Sequence, residues 1–582
     1  MKISPSKKQI VRRPVAEDAE RLFPSLHPVL ARIYAARGIT SIESIDYSLS
    51  RLAPFDTLSG IESAATLLAN AVRSDERILI VGDFDADGAT SCAVAVRGLR
   101  LMGAQEVDYL VPNRFEYGYG LTKEIVSVAI EKKPDVLVTV DNGISNMEGV
   151  AMARVHGIRT VITDHHLPGP SLPDADVIVN PNLAEDRFPS KNLAGVGVIF
   201  YVLLALRSRL QEEGWFENSG IKKPNMGRLL DLVALGTVAD VVPLDDNNRI
   251  LVAEGLRRIR LDQCQAGTKA LLAVSKRAPE RTVAGDLAFA VGPRLNAAGR
   301  LTDMSLGIEC LLADQPERAC QLAAQLNQLN HKRQNIESTM RSQALLLVDE
   351  MDIADDVDPA FGLCLYDETW HPGVIGIVAS RIKDYVYRPV IAFAGNDGDD
   401  ELKGSARSIP GLHIRDTLSA IATRNPDLII RFGGHAMAAG LTISRADIAL
   451  FRDAFNGEVR RQLPPEALQN ILYTDGILDS ADLNLTLAEA LRAGGPWGQA
   501  FPDPSFDGEF KLLYRRVVGG SHLKLQLDLP ASDQRIDAIA FNTSDNDWPP
   551  GTRRIYAVYR LDVNQFQGRQ NPQLVIEYIE PR

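Results

Sequence analysis

Three observations predict an α/β protein with a parallel-sheet domain, a long connecting helix, a second α/β domain and a C-terminal β-barrel. Short apolar runs alternate with amphipathic helical stretches from about Ile78 to Val179. The stretch from Pro316 to Glu350 contains no glycine, and no proline after its first position. Beyond Asn470, five strand-like runs are separated by turn residues. A chain of 582 residues is too long for one core and predicts several domains.

In order, the buried run Ile78–Val81 leads to a helix near Ala89–Met102, and Val107–Val111 leads to a helix near Thr122–Lys132. Val136–Val140 precedes a helix over Asn146–His156, and Arg159–Thr163 and Asp176–Val179 complete the series. This alternation gives a parallel sheet with helices on both faces. Such sheets bind ligands at their C-terminal strand ends. Helices over Leu193–Leu210, Gly227–Val238 and Ile250–Ile259 follow. After Pro316, Leu322, Ala323, Leu326, Leu329, Ile336 and Met340 recur at helical spacing, which makes one long helix placed as a connector. Gly362–Tyr366, a helix Ile375–Lys383 and Pro389–Ala394 begin the second α/β unit. The runs Phe506–Tyr514, His522–Leu529, Arg535–Asn542, Arg554–Leu561 and Gln573–Ile579 suit a small barrel of the OB type. The expected boundaries are an N-terminal extension over 1–45, a catalytic domain over 46–310, the connecting helix over 311–350, the second domain over 351–456 and the barrel over 457–582.

Composition is that of an ordinary globular chain, 45% apolar and 24% charged, with no apolar run long enough for a membrane helix. The N-terminus has basic residues but no apolar core behind them, so no signal peptide is expected. Five scattered cysteines without a CxxC read as reduced thiols, and a cytoplasmic location follows. A net charge of -12 excludes a wholly basic nucleic-acid coat protein, but not a nuclease with a local positive groove.

The chemistry concentrates at strand ends. Ile78–Val81 runs into Asp83, Asp85 and Asp87; a second strand ends in Asp141, and a third in Asp164, His165 and His166. One such aspartate alone would be a helix N-cap, and for Asp83 that reading stays open. Acids on three strand ends of one sheet require a cation to offset their repulsion. Carboxylates with imidazole suit hard or borderline divalent ions, and the set with Asp240 is rich enough for two. Adjacent histidines at a strand end point different ways. One can ligate metal while His166 serves as general acid or contacts transition-state oxygens.

These segments, Gly-Asp-Phe-Asp-Ala-Asp-Gly88, Val-Asp-Asn-Gly143, Thr-Asp-His-His166 and Gly236-Thr-Val-Ala-Asp240, resemble the motifs of the DHH phosphoesterase superfamily. Gly292-Pro-Arg-Leu-Asn-Ala-Ala-Gly-Arg300, Trp370-His-Pro-Gly, Gly404-Ser-Ala-Arg407 and Gly433-Gly-His435 extend the resemblance to its bacterial single-strand-specific 5′→3′ exonuclease branch, with a DHHA1-type second domain. The resemblance implies degradation of single-stranded DNA to 5′-mononucleotides with two Mn²⁺ or Mg²⁺ ions, in repair and recombination. It implies Asp85, Asp87, Asp141, His165 and Asp240 as metal ligands, with Asp141 bridging, and His166, Asp83 and Asp164 as catalytic. Val81 stands where many members carry a metal-binding histidine, and Asp83 is the residue placed to compensate.

Direction requires a sensor for a 5′-terminal phosphate, and arginine is the natural bidentate donor. The resemblance assigns that pocket to Arg114, Ser405 and Arg407. Tyr119, beside Arg114, either stacks on a base or packs. Gly433, Gly434 and His435 read as an amide nest opening a helix, suited to phosphate, or as a tight strand–helix turn. Arg294, Asn296 and Arg300 either contact DNA phosphates or pair with acids. His371 and, on the barrel, Lys524 complete the DNA-contact candidates, the latter among cations and aromatics of the single-strand-binding kind. Single-strand-binding protein and repair helicases are the implied partners; a monomer is expected. The alternatives are a phosphoesterase for short oligonucleotides or cyclic dinucleotides, which would lack the barrel, and a catalytically dead DNA-binding relative, which would lack motif acids.

Overall fold

The computed structural model describes residues 8–15, 19–112, 120–351, 360–395, 400–520, 522–529, 534–543, 549 and 551–582. Two compact units emerge, one over residues 12–328 and 474–582, the other chiefly over 329–473.

In the first unit, five parallel strands lie in the order Val107–Leu110, Ile78–Val81, Val136–Val140, Arg159–Thr163, Val177–Val179. The strand Ile78–Val81 is buried throughout, as is Val136–Val140, which is why both read as continuous apolar runs. The chain leaves Ile78–Val81 toward one edge and returns beyond it at Val136–Val140. That reversal makes a topological switch point, with a crevice at the carboxyl ends of these two neighbouring strands. Helix Ala86–Leu101 begins in that crevice, three residues earlier than its apolar pattern suggests, because Asp85 caps it by accepting from Gly88 N at 3.0 Å. This helix packs on Gly195–Glu212 and on Leu230–Ala239. The latter is buried almost all round and so carries no amphipathic signature.

The same unit holds the closed barrel, in the order Phe506–Val518, His522–Asp528, Arg535–Ala540, Arg569–Pro581, Arg554–Phe566. Three of these strands run several residues beyond their sequence-predicted ends. Cross-strand pairing continues past the apolar core there, and periodicity alone does not register it.

The long helix is continuous over Pro316–Glu350, as predicted. In the second unit a five-stranded sheet runs Arg431–Gly434, Ala438–Ser444, Glu401–Arg407, Val390–Gly395, Leu363–Tyr366, with only the last pair parallel. Its core includes Phe393, Phe451 and Phe455. Here one expectation is overturned: Gly433, Gly434 and His435 open no helix. They end an edge strand whose hairpin partner is Ala438–Ser444, with His435 N donating to Ala438 O at 2.8 Å. Gly434 is a glycine because its φ is 144° and a Cβ there would meet Ala438 O at 2.5 Å. Gly433 and Gly434 thus belong to a strand hairpin, not to a nest that opens a helix.

Candidate metal centre

Three groups of side chains with metal-ligating atoms within 4.8 Å of one another form at the crevice: Asp83, Asp85 and Asp141; Asp87, His165 and Asp240; and Asp141, His165 and His166. Asp141 and His165 each belong to two groups, so the clusters are continuous. His165 Nε2 lies 3.1 Å from Asp141 Oδ1 and 3.5 Å from Asp240 Oδ2.

Each side chain is set by its own element. Asp141 follows its strand with φ at 63°, a left-handed conformation that aspartate tolerates better than most residues, and its N–H donates to Thr163 O at 3.0 Å. Both oxygens of Asp87 accept from the first amides of helix Gly195–Glu212, Gly195 N at 2.6 Å and Val196 N at 3.0 Å. Residue 195 has no room for a side chain, since a Cβ would lie 2.5 Å from that of Asp141. Asp240 caps the C-terminus of Leu230–Ala239. Asp164 has a different task. Its Oδ1 accepts from the backbone of His165 and His166 and lies 2.7 Å from His166 Nδ1, while Oδ2 accepts from Ile144 N. Asp164 thereby orients His166 and falls in none of the three groups. Val81 is buried in its strand, and Asp83 joins the group with Asp85 and Asp141.

Electrostatics reflect the crowding. Burial, then the charge of Asp85, lifts Asp87 to about 7 against the helix amides. Burial and the surrounding carboxylates raise Asp141 and Asp240 well above the usual range. Burial would raise Asp164 as well, but His166, His165 and Ile144 N outweigh it and hold that acid low. Burial works against the charged form of His166, yet Asp164, Asp83 and Asp85 lift it to about 9. Oxygen-rich donors, costly to ionise together and joined by one imidazole, fit hard or borderline divalent cations.

A pH dependence follows. Between the ordinary carboxylate range and about 7, folded metal-free protein keeps protons that the unfolded chain has released. Its stability therefore falls as pH rises through that window, and His166 acts in the same direction up to about 9. The melting temperature in chelator is expected to drop between about pH 5.5 and 8, and the rise on adding a divalent cation to be largest at about pH 8. A flat chelator profile in calorimetry would contradict this.

Other predicted residues are placed elsewhere or differently. Asn296 Oδ1 accepts from Ala86 N at 2.8 Å, so it shapes the acidic loop itself. Arg294 donates to Asn327 Oδ1 at 3.0 Å and to the carbonyl of Ala290, bracing the start of the long helix. Arg300 lies on the same helix, Gly292–Leu301. Lys524 pairs with Asp537 at 2.9 Å on the barrel. Arg114 and Tyr119 lie outside the described residues.

In the second unit, Arg407 Nη1 donates to Ser405 Oγ at 3.1 Å and to Ala406 O at 2.8 Å. A side chain at Gly376, in the first turn of helix Ile375–Val386, would meet Ser405 Oγ and Arg407 Nη2 at 2.8 Å each. The Ser405–Arg407 pair thus sits against a helix N-terminus. His371 Nδ1 accepts from Gly373 N at 3.0 Å in the turn before that helix.

Sequence reasoning missed the supports of the histidine pair. Asn182 Nδ2 donates to His165 O at 2.6 Å and Asn180 Nδ2 to His166 O at 2.9 Å. The Asn-Pro-Asn that ends the strand Val177–Val179 was the available signal. The amides of Gly195 and Val196 have no side-chain signal at all.

The chain has counterparts among known proteins. Residues 77–237 match the DHH family, N-terminal domain, residues 360–461 the DHHA1 domain, and residues 474–578 the RecJ OB domain. The single-stranded-DNA-specific exonuclease RecJ of Salmonella typhimurium is 50% identical over 572 residues, covering 98% of this chain and 99% of that protein. The crystal structure of RecJ in complex with Mn²⁺ from Thermus thermophilus superposes with a TM-score of 0.79 at 30% identity, over 99% of this chain and 80% of that one. The Mg²⁺ complex from the same organism gives a TM-score of 0.73 at 28% identity, over 99% and 79%.

Proposed function

The chain belongs to the RecJ family, and on that footing we propose that it is a metal-dependent exonuclease degrading single-stranded DNA from the 5′ end to 5′-mononucleotides. The observation that carries this reading is the continuity of the acid and histidine groups through Asp141 and His165 at the sheet's switch point. Asp83, Asp85 and Asp141 would hold one cation, and Asp87, His165 and Asp240 the other; Asp141, 3.1 Å from His165 Nε2, would be the ligand common to both. Mn²⁺ or Mg²⁺ suits both, as in the Thermus relative. Bound there, two such ions supply an activated water and neutralise charge on the phosphoryl group.

The protein's own groups do the rest. Asp164 accepts from His166 Nδ1 and keeps the ring charged, so His166 can donate from Nε2 to a phosphoryl oxygen or to the departing 3′ oxygen. Asn180 and Asn182 hold the backbone of the pair in place. Ser405 and Arg407 bind the 5′ phosphate through charge-assisted hydrogen bonds, and Arg114, outside the described residues, is assigned the same role by the family resemblance. His371, Gly433, Gly434, His435, Arg294, Asn296, Arg300 and Tyr119 are the remaining DNA-contact residues of this reading, and Lys524 on the barrel contacts strand phosphates.

The same proposal includes the domain boundaries at 45, 310, 350 and 456, a monomer, a cytoplasmic location, and a role in repair and recombination alongside single-strand-binding protein and helicases. Among the described residues no helix is long and apolar enough to cross a membrane.

Incubation of single strands labelled at either end tests the reading. A 5′ label is expected to appear at once as mononucleotide and a 3′ label to shorten gradually, both with Mn²⁺ or Mg²⁺ and neither in EDTA. Prompt release of the 3′ label, or cleavage in EDTA, would refute it.

A further inference from the structure

The loop that leaves Asp240 is pinned from outside the catalytic sheet. Val241 has φ at 61°, unfavourable for a β-branched residue, and its side chain is exposed, so packing of that side chain does not hold the conformation. Two of the residues that follow, Pro243 and Leu244, are held from outside. Pro243 O accepts from Asn248 Nδ2 at 2.9 Å, Leu244 O from Arg249 Nη1 at 2.8 Å, and Leu244 N donates to Gln499 O at 2.8 Å. Asn248 is fully buried and uses the same amide nitrogen on Asn192 O at 2.6 Å. Asn192 lies three residues before Gly195, whose amide holds Asp87. One carboxamide therefore ties together the loops that carry Asp240 and cradle Asp87.

Arg249 is also buried, and its guanidinium lies 4.5 Å from the ring centre of Phe501, which stacks at 5.0 Å on Trp497. Trp497 anchors through Nε1 to Leu491 O. These aromatics belong to the segment that enters the barrel, within the same compact unit as the metal centre. Neither Asn248 nor Arg249 belongs to the ligand groups, and the Asp245–Arg249 stretch lies beyond the motif that ends at Asp240.

We propose that Asn248 and Arg249, the latter backed by the ring of Phe501, are positioning residues for Asp240 and Asp87, so that the segment leading into the barrel sets the geometry of the Asp87–His165–Asp240 metal group. This rests on the metal reading above. It makes the C-terminal region part of the metal centre's scaffold as well as a surface for DNA. Outer-shell contacts of this kind shift metal affinity by about 10–100-fold.

Calorimetric titration of the full chain with Mn²⁺ alone, without DNA, tests it, alongside melting in EDTA. Asn248→Ala and the conservative Arg249→Lys are each expected to weaken Mn²⁺ binding about tenfold, and Phe501→Leu to weaken it in the same direction. Phe455→Leu, in the core of the second unit, is expected to lower the melting temperature without changing Mn²⁺ affinity. The inference is overturned if folded Asn248→Ala and Arg249→Lys bind Mn²⁺ within twofold of the unaltered chain, or if Phe455→Leu weakens binding as much as they do. An unaltered chain that binds no Mn²⁺ overturns the metal reading along with it.

Discussion

Asp141→Asn is expected to lower single-strand cleavage by about a thousandfold or more, equivalent to roughly 4 kcal/mol of transition-state stabilisation, while raising the melting temperature of the metal-free protein. The two effects have one cause. Asp141 completes the group with Asp83 and Asp85, and its Oδ1 lies 3.1 Å from His165 Nε2 of the other group, so losing its charge impairs both at once. In the absence of metal that charge is a burden: burial and the carboxylates of Asp87, Asp85, Asp240 and Asp83 all oppose its ionisation. Asparagine keeps the shape and tolerates the left-handed backbone at φ 63°, so the fold is retained. Stability in EDTA rises and the stabilisation by Mn²⁺ shrinks, a trade of function against stability. Melting curves in EDTA and Mn²⁺ beside initial rates check it. An Asp141→Asn protein within tenfold of full activity at saturating Mn²⁺ would remove Asp141 from the shared position.

The second large effect concerns polarity. Arg407→Ala is expected to slow cleavage of 5′-phosphorylated strands by about 10–100-fold, the value of a charge-assisted hydrogen bond to an anion, and to leave 5′-hydroxyl strands nearly unchanged. Arg407 already lies against Ser405 Oγ and the first turn of helix Ile375–Val386, so its guanidinium is fixed before any ligand arrives. Little ordering cost then opposes phosphate binding. Rates on matched strands with either terminus give the selectivity ratio. A ratio that survives the substitution would show that the terminal phosphate is read elsewhere.

Much of the architecture was legible because the signals are local. Strand–helix alternation placed the acids at strand ends, uninterrupted helical spacing made Pro316–Glu350 one helix, and turn-separated runs gave the barrel. Aspartates and histidines at strand ends announced a cation site because like charges there are too costly otherwise. Where local signals misled, a longer-range contact was responsible. Gly433 and Gly434 resemble a helix-opening phosphate nest in isolation, but they end an edge strand paired with Ala438–Ser444, and Gly434 is small because the paired strand approaches it closely. Asn296 carries a further contact that its motif does not announce, accepting from Ala86 N, 210 residues away in sequence.

The order of residues along the chain was enough to show which runs are buried, where the charges fall, and so which chemistry the sheet's edge must carry. How that chemistry is divided emerged from the folded arrangement alone. Asp87 is held by amides 108 and 109 residues distant, Asp164 Oδ2 is taken by the amide of Ile144 from a neighbouring strand's loop, and the loop after Asp240 is fixed in part by Gln499 O, far along the chain. The difference is one of range. Periodicity and charge spacing are properties of neighbours along the chain, whereas a carboxylate's role is fixed by whichever donors the topology brings within about 3 Å of it.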